Sequence, residues 1–190
     1  MMRIITGSAR GVRLDTLEGE MTRPTTERAK EAIFSILYGK VEGKRVLDLF
    51  AGSGQLGLEA ISRGAVRATF VDASKEAAAI IAKNIEKTNF ADACRVVSSD
   101  VATFLRSDAG QYDLVFVDPP YAAGLTKGTL ALLVSGRKLA PGAIVVAETG
   151  EERDVFGDDA ALASHFAVRR VRYGKAAVAF LTFPGGGDTP

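Results

Sequence analysis

This chain of 190 residues has a single cysteine, a single histidine and no tryptophan. Cys94 can close no intramolecular disulfide and lies inside an apolar segment, so it reads as a buried thiol in a chain made for a reducing cytoplasm. His165 has no Cys or second His to complete a ligand cluster, and no metal is expected. Long apolar runs are missing too. None reaches the roughly 18 residues that span a bilayer, and Met1-Met2-Arg3 opens no signal peptide, so no membrane partner is expected. Charge of one sign is absent as well: 24 Lys and Arg against 23 Asp and Glu leave a net charge of +1. That balance speaks against a protein that coats nucleic acid by bulk electrostatics.

What is present is a core-forming chain, 47% hydrophobic, of a length that suits one domain. Residues 3 to 17 read as a hairpin turning through Gly7, Ser8 and Gly11, and Pro24 opens a helix that runs to about Leu37. Strands then alternate with helices: strand 45 to 50 with helix 55 to 63, strand 67 to 71 with helix 75 to 87, strand 94 to 98 with helix 100 to 106. Strand 112 to 117 leads to a helix near 126 to 136, followed by strand 143 to 148. V-R-R-V-R-Y-G-K-A-A-V-A-F-L gives two last strands joined at Tyr173-Gly174-Lys175. The alternation predicts an α/β fold with a mainly parallel, doubly wound sheet. The chain divides into a 1–40 extension, a 41–184 core and a 185–190 tail too poor in apolar surface to order itself.

Two strand ends carry the chemistry. V-L-D-L-F-A-G-S-G-Q-L-G, from Val46 to Gly57, runs from an apolar strand through Gly52 and Gly54 into a helix. This is a nucleotide-type turn, where backbone and helix N–H groups approach a ligand. Gly52, Gly54 and Gly57 also fit the dinucleotide pattern G-x-G-x-x-G, but Asp48 inside the strand would repel a pyrophosphate and could hold an ammonium. Asp72 ends the next strand where an acid reaches ribose hydroxyls, and Asp100 ends the third where a carboxylate can meet an adenine amine or simply cap the following helix. The fourth strand ends in Asp118-Pro119-Pro120-Tyr121. The prolines stop the strand, and the carboxylate and prolyl carbonyl can accept both hydrogens of an exocyclic base amine while the ring stacks. An acid followed by Pro-Pro is also an ordinary strand end.

Arg3-Ile4-Ile5-x-Gly7, Arg23-Pro24-Thr25-Thr26-x-Arg28, D-L-F-A-G-S-G-x-L-G-L-E-A-x-S-R-G-A and V-F-V-D-P-P-Y together resemble the RsmD family, bacterial 16S ribosomal RNA (guanine-N2) methyltransferases that use S-adenosylmethionine. The likeness runs from Arg3 to about Phe183, with mild departures at Thr6-Gly7-Ser8, where two glycines are expected, and at Asp72, where Glu is frequent. It implies a class I methyltransferase fold, Rossmann-like, with seven strands and an antiparallel carboxy-terminal hairpin. It implies a donor site from Asp48, Phe50, Ala51, Gly52, Ser53, Gly54, Asp72, Ala73, Asp100 and Val101, and a catalytic group of Asp118, Pro119, Pro120 and Tyr121. It places Arg10, Arg13, Arg23, Thr25 and Arg28 beside the pocket mouth, as contacts to 16S rRNA within an assembled small subunit. A cytoplasmic monomer is expected. Arg169, Arg170, Arg172 and Lys175 form a second basic group. The residues alone support only an amine on a planar base, so a DNA or other RNA amino-methyltransferase acting on N6-adenine or N4-cytosine is the alternative. A dehydrogenase fits the glycines but not Asp48 or D-P-P-Y.

Overall fold

A computed structural model describes residues 2–17, 25–119, 125–150, 155–173 and 176–184. Seven strands form one sheet: β1 Arg45–Leu49, β2 Arg67–Asp72, β3 Cys94–Ser98, β4 Tyr112–Val117, β5 Leu139–Gly150, β6 Ala167–Tyr173 and β7 Ala176–Thr182. Their order is β3-β2-β1-β4-β5-β7-β6, with β1 to β5 parallel and β7 antiparallel to both β5 and β6. This is the expected Rossmann-like methyltransferase arrangement. The 185–190 tail, Pro24 and the joint at Gly174-Lys175 lie outside the described residues.

Helices α1 Thr25–Ile36, α2 Gln55–Ser62, α3 Lys75–Thr88, α4 Val101–Ser107, α5 Leu125–Ser135 and α6 Ala160–Ala163 cover the two faces. Alternation along the strands sorts side chains between them. Val46, Phe70 and Phe116 join Phe34 of α1, Leu58 of α2 and Ile81 of α3 in one core; Leu47, Leu49, Val71, Val115 and Val117 join Phe104, Leu130 and Leu133 in the other. Local signals set the helix ends. Ser74 accepts from the Ala77 N–H (3.2 Å) at the start of α3, and Asn89 closes it in the left-handed region at φ 57°.

Three elements differ from the sequence expectation. Strand β5 begins at Leu139 rather than 143, because Pro141-Gly142 is absorbed as a register shift opposite Tyr112 to Leu114 of β4. The four-residue α6, held by Asp159 accepting from the Leu162 N–H (2.8 Å), was too short to leave a periodic pattern.

The amino-terminal arm, residues 2–17, folds back on itself through a single antiparallel bridge, Arg3 to Arg13, rather than a full hairpin ladder. Across the arm the Ile4 N–H donates to the Val12 carbonyl (2.9 Å), and the Gly11 and Leu14 N–H groups donate to the carbonyls of Ile4 (2.9 Å) and Met2 (3.0 Å); four others are engaged by α2. Those of Ile5 and Thr6 donate to the Glu59 carboxylate at 2.7 and 3.0 Å, and those of Ser8 and Ala9 donate to the carbonyl (2.8 Å) and hydroxyl (3.0 Å) of Ser62. Gly7 sits at φ 92°, and a Cβ there would lie 1.7 Å from the Ser62 carbonyl oxygen. Glu59 is fully buried and also receives Arg63 Nε at 2.8 Å, with the buried ammonium of Lys30 at 3.7 Å. Lys30 donates to the Arg3 carbonyl at 2.6 Å, and its burial outweighs the pull of Glu59 and lowers its pKa. The guanidinium of Arg63 stacks over Phe34, 4.6 Å from the ring centroid.

Glu59→Ala would strand a buried ammonium and two backbone N–H groups. The expected loss of stability is about 3–5 kcal/mol in urea unfolding, with part of it restored by Lys30→Met in the same chain.

Burial also pushes the Cys94 thiol and the Tyr112 phenol up to about 12, from 9.0 and 10.0, the phenol further raised by the Asp108 carboxylate it donates to. Above pH 9 the unfolded chain therefore releases protons that the folded chain keeps, so stability falls as pH rises toward 12. Urea midpoints measured near pH 8 and about pH 10.5 should diverge, and Cys94→Ala with Tyr112→Phe should flatten that difference.

Candidate active site

Four acids collect at the carboxyl edge of four neighbouring strands. Leu49 of β1 pairs with Val71 on one side and Val117 on the other, so Phe50 stands level with both Asp72 and Asp118. Asp72 pairs with Ser98, which brings Asp100 alongside, and the Ser99 N–H donates to the Asp72 carbonyl at 2.9 Å. Asp48 lies two residues deeper, buried on the α2 side. Asp118 and Pro119 are half-buried at the end of β4; Ala73 is exposed and Val101 is buried at the start of α4. Pro120, Tyr121 and Arg23 lie outside the described residues, and so does the side chain of Thr25 at the start of α1.

The acids first hold backbone. Asp72 accepts from the Gly52 N–H with one oxygen (2.9 Å) and the Ser74 N–H with the other (2.8 Å), while Asp48 accepts from the Gly57 N–H at 2.9 Å. Asp100 caps α4, accepting from the Thr103 N–H at 3.0 Å through Oδ1. The helix-cap reading of Asp100 is therefore realised, and its second oxygen carries no bond among the described residues. Between β1 and α2 the backbone enters the left-handed region three times, at Phe50 (φ 59°), Gly52 (φ 53°) and Gly54 (φ 76°). Glycine at 54 answers to packing as well as to φ: a Cβ would press Ile81 and Phe70 at 3.3 Å. At Gly57 it would strike the Phe70 ring at 2.3 Å. The hydroxyl of buried Ser53 turns to the arm and donates to Met2 Sδ at 3.3 Å. Its carbonyl, like the backbone of arm residue Asp15, accepts from the Asn84 amide.

The edge thus offers carboxylate acceptors rather than a cationic or phosphate cradle. A ligand presenting an ammonium, hydroxyls and an amine fits this donor set, and a pyrophosphate does not. Among the described residues no group of three His, Cys, Asp or Glu could hold a metal ion. A groove of about 620 Å³ lined by Arg45, Arg67 and Arg95 lies away from this chemistry, toward the amino ends of β1 and β2. Arg45 is held there by a two-point bond to Asp113 (2.8 and 3.1 Å), and Arg95 lies 3.7 Å from Asp108.

Arg10, Arg13 and Arg28 are exposed. Arg10 follows Ser8 and Ala9 at the tip of the arm, whose N–H groups meet Ser62, the last residue of α2, about 10 Å along the helix from the glycine turn. Arg169, Arg170 and Arg172 are exposed on the edge strand β6.

Sequence reasoning missed Glu59, Ser62 and Asn84. The signal was there: Asn84 interrupts the apolar stripe of Ile81 and Ile85 at helical spacing, and Glu59 and Ser62 are set among buried Leu58, Ala60 and Ile61. A polar side chain on a core-facing stripe must find partners inside.

The model of the family described as Conserved hypothetical protein 95 matches residues 2–182. Ribosomal RNA small subunit methyltransferase D of Escherichia coli K12 is 38% identical over 151 residues, covering 80% of this chain and 76% of the relative. Its namesake in Haemophilus influenzae is 36% identical over 155 residues, 80% of each chain. The solved structure of the Escherichia coli yhhF protein superposes with a TM-score of 0.83 at 33% identity, covering 97% of this chain and 98% of that one. With the family's pattern carried from the arm through the last strand, the chain belongs to this family, that of the RsmD ribosomal RNA small subunit methyltransferases.

Proposed function

We propose that the chain transfers a methyl group from S-adenosylmethionine to the exocyclic N2 amine of a guanine in 16S ribosomal RNA, in the cytoplasm and on an assembled small subunit. The observation that carries this reading is the row of Asp72 and Asp118 flanking Phe50, with Asp48 beneath, at the mouth of a glycine turn. Such an edge has acceptors for a donor molecule on β1 to β3 and for a base amine on β4. The names of the relatives supply the class of RNA. When bound, the donor supplies an electrophilic methyl group on a sulfonium.

We assign the roles as the resemblance implies them, with the positions of the described acids in support. Asp48 faces the donor's ammonium, Asp72 its ribose, and Asp100 with its uncommitted oxygen the adenine amine; Phe50, Ala51, Gly52, Ser53, Gly54, Ala73 and Val101 form the walls. On the acceptor side, guanine N2 is a weak nucleophile because its lone pair is delocalised into the ring. Asp118 and the Pro119 carbonyl accept its two N–H groups and draw them out of plane, which turns the lone pair toward the methyl group. Pro120 stiffens the turn and Tyr121 stacks on the base. As the N–C bond forms, Asp118 opposes the positive charge on nitrogen and accepts the proton that must leave. Holding the two reactants in line accounts for most of the acceleration, so no histidine base is required. A base inside a duplex cannot reach this edge and must be unpaired or flipped.

Asp48→Ala and Asp118→Ala separate the two halves. The first should abolish binding of S-adenosylhomocysteine in calorimetry; the second should leave it nearly intact while turnover falls by about two to four orders of magnitude. Near wild-type turnover in Asp118→Ala would rule out this acceptor site.

Arg10, Arg13, Arg23, Thr25 and Arg28 are assigned to phosphate contacts, which position the substrate without reading its sequence. Small ribosomal subunits should then be methylated far faster than protein-free 16S RNA, with N2-methylguanosine as the nucleoside found by mass spectrometry. Replacing Arg10 and Arg13 together should weaken RNA binding and flatten its dependence on salt while leaving donor affinity unchanged.

A further inference from the structure

Asn84 is fully buried in the middle of α3, and every hydrogen-bonding direction that matters is used. Its Oδ1 accepts from the Asp15 N–H at 2.8 Å; its Nδ2 donates to the Asp15 carbonyl at 2.9 Å and to the Ser53 carbonyl at 2.9 Å. One side chain therefore joins three segments that are far apart in sequence: the arm, the glycine turn and α3. A second link runs parallel to it, from the Ser53 hydroxyl to Met2 Sδ at 3.3 Å. Asp72 holds the same turn at the Gly52 N–H. The turn is thus fixed at Gly52 by the sheet and at Ser53 by the arm and α3.

The bond to the Ser53 carbonyl orients the peptide between Ser53 and Gly54, and Gly54 is the left-handed residue from which α2 starts. Rotating that peptide would leave either the carbonyl or the Asn84 amide unpaired in the interior, so the turn has one favoured shape while Asn84 is in place. The same amide reads both polar groups of Asp15, so an arm that lifts away at Asp15 also releases one of the constraints on the turn.

We propose that Asn84 is a positioning residue for the donor turn, and that through it the docking of the amino-terminal arm and the shape of the donor site form one coupled element. Donor binding then tightens the arm, and a substrate that grips the arm tightens the donor site, by the same factor in both directions. The positioning half needs only the hydrogen bonds described; the coupling half rests on the reading of the arm as an RNA contact.

Asn84→Asp in the full chain is the central test. It keeps the acceptor for the Asp15 N–H but sets an oxygen against the Ser53 and Asp15 carbonyls. S-adenosylhomocysteine should bind at least about tenfold more weakly in calorimetry, and KM for the methyl donor should rise in step, while kcat at saturating donor stays within about threefold. Met2→Leu removes the acceptor of the Ser53 hydroxyl without touching the donor site, so it gives a second reading should Asn84→Asp not fold; a rise in donor Kd of about two- to fivefold is expected. In the wild type, S-adenosylhomocysteine should raise affinity for small ribosomal subunits by about fivefold or more, and in Asn84→Asp that factor should fall to about one. A lowered melting temperature with unchanged donor Kd and KM in both variants would reduce Asn84 to a core residue and overturn the proposal. Wild-type protein that binds the donor analogue but shows no change in subunit affinity would overturn the coupling alone. Wild-type protein that fails to bind the analogue would overturn the methyl-donor reading and the inference with it.

Discussion

A carboxylate cut off from water must be solvated by its own protein, and in this fold that requirement falls on Glu59. Its partners come from three places: backbone N–H groups of Ile5 and Thr6 in the arm, the Lys30 ammonium on α1, and Arg63 at the end of its own helix. None of these can be withdrawn without leaving a charge or an amide unpaired in the interior. The arm and α1 are for that reason part of the body of the enzyme, although in sequence they precede the sheet. Because Glu59 stands one turn beyond the glycine loop on α2, this anchoring also decides what lies behind the donor site. Met2, Asp15 and Asn84 occupy that space.

The carboxyl edge follows a related logic. Asp48 and Asp72 each serve the protein before any ligand arrives, Asp48 by accepting the first-turn N–H of Gly57 in α2 and Asp72 by accepting the N–H of Gly52 in the left-handed turn. The turn is thereby preorganised, and both carboxylates are held in a fixed frame. Preorganisation of this kind lowers the ordering that binding must still impose. Asp100 takes part in the same way at the start of α4.

Much of this was legible in the sequence. Strand β4 was read with its observed bounds because Leu114 to Val117 is apolar without a break and Pro119 forbids a continuation. The antiparallel closure by β6 and β7 was visible in the alternation around Tyr173. Asp72, Asp100 and Asp118 stand out because each follows an apolar run, and Asp48 because it interrupts one. What escaped was polar and internal. Glu59 is the one charged residue of α2 and Asn84 stands on the apolar stripe of α3, so the pattern marks both as internal, but the partners that satisfy them lie 54 and 69 positions away. Periodicity reports which face a residue is on, not who meets it there. The β5 bulge escaped for another reason: Pro141-Gly142 is a break by local rules, and only the neighbouring strands allow the ladder to continue past it.

The distances in sequence between the arm and its anchors have a consequence for the newborn chain. The arm leaves the ribosome before its anchors: Glu59, Ser62 and Asn84 follow 53 to 69 residues later. At roughly 5–20 residues per second, that is a delay of roughly 3–14 s in which Ile4 and Leu14 have no core to enter. The arm can find its place only after β1, α2 and α3 have emerged, so it is stitched in later than segments made after it. Until then Met2, Ile4, Ala9 and Leu14 stay exposed, and the carboxylate of Glu59 has no solvating cage.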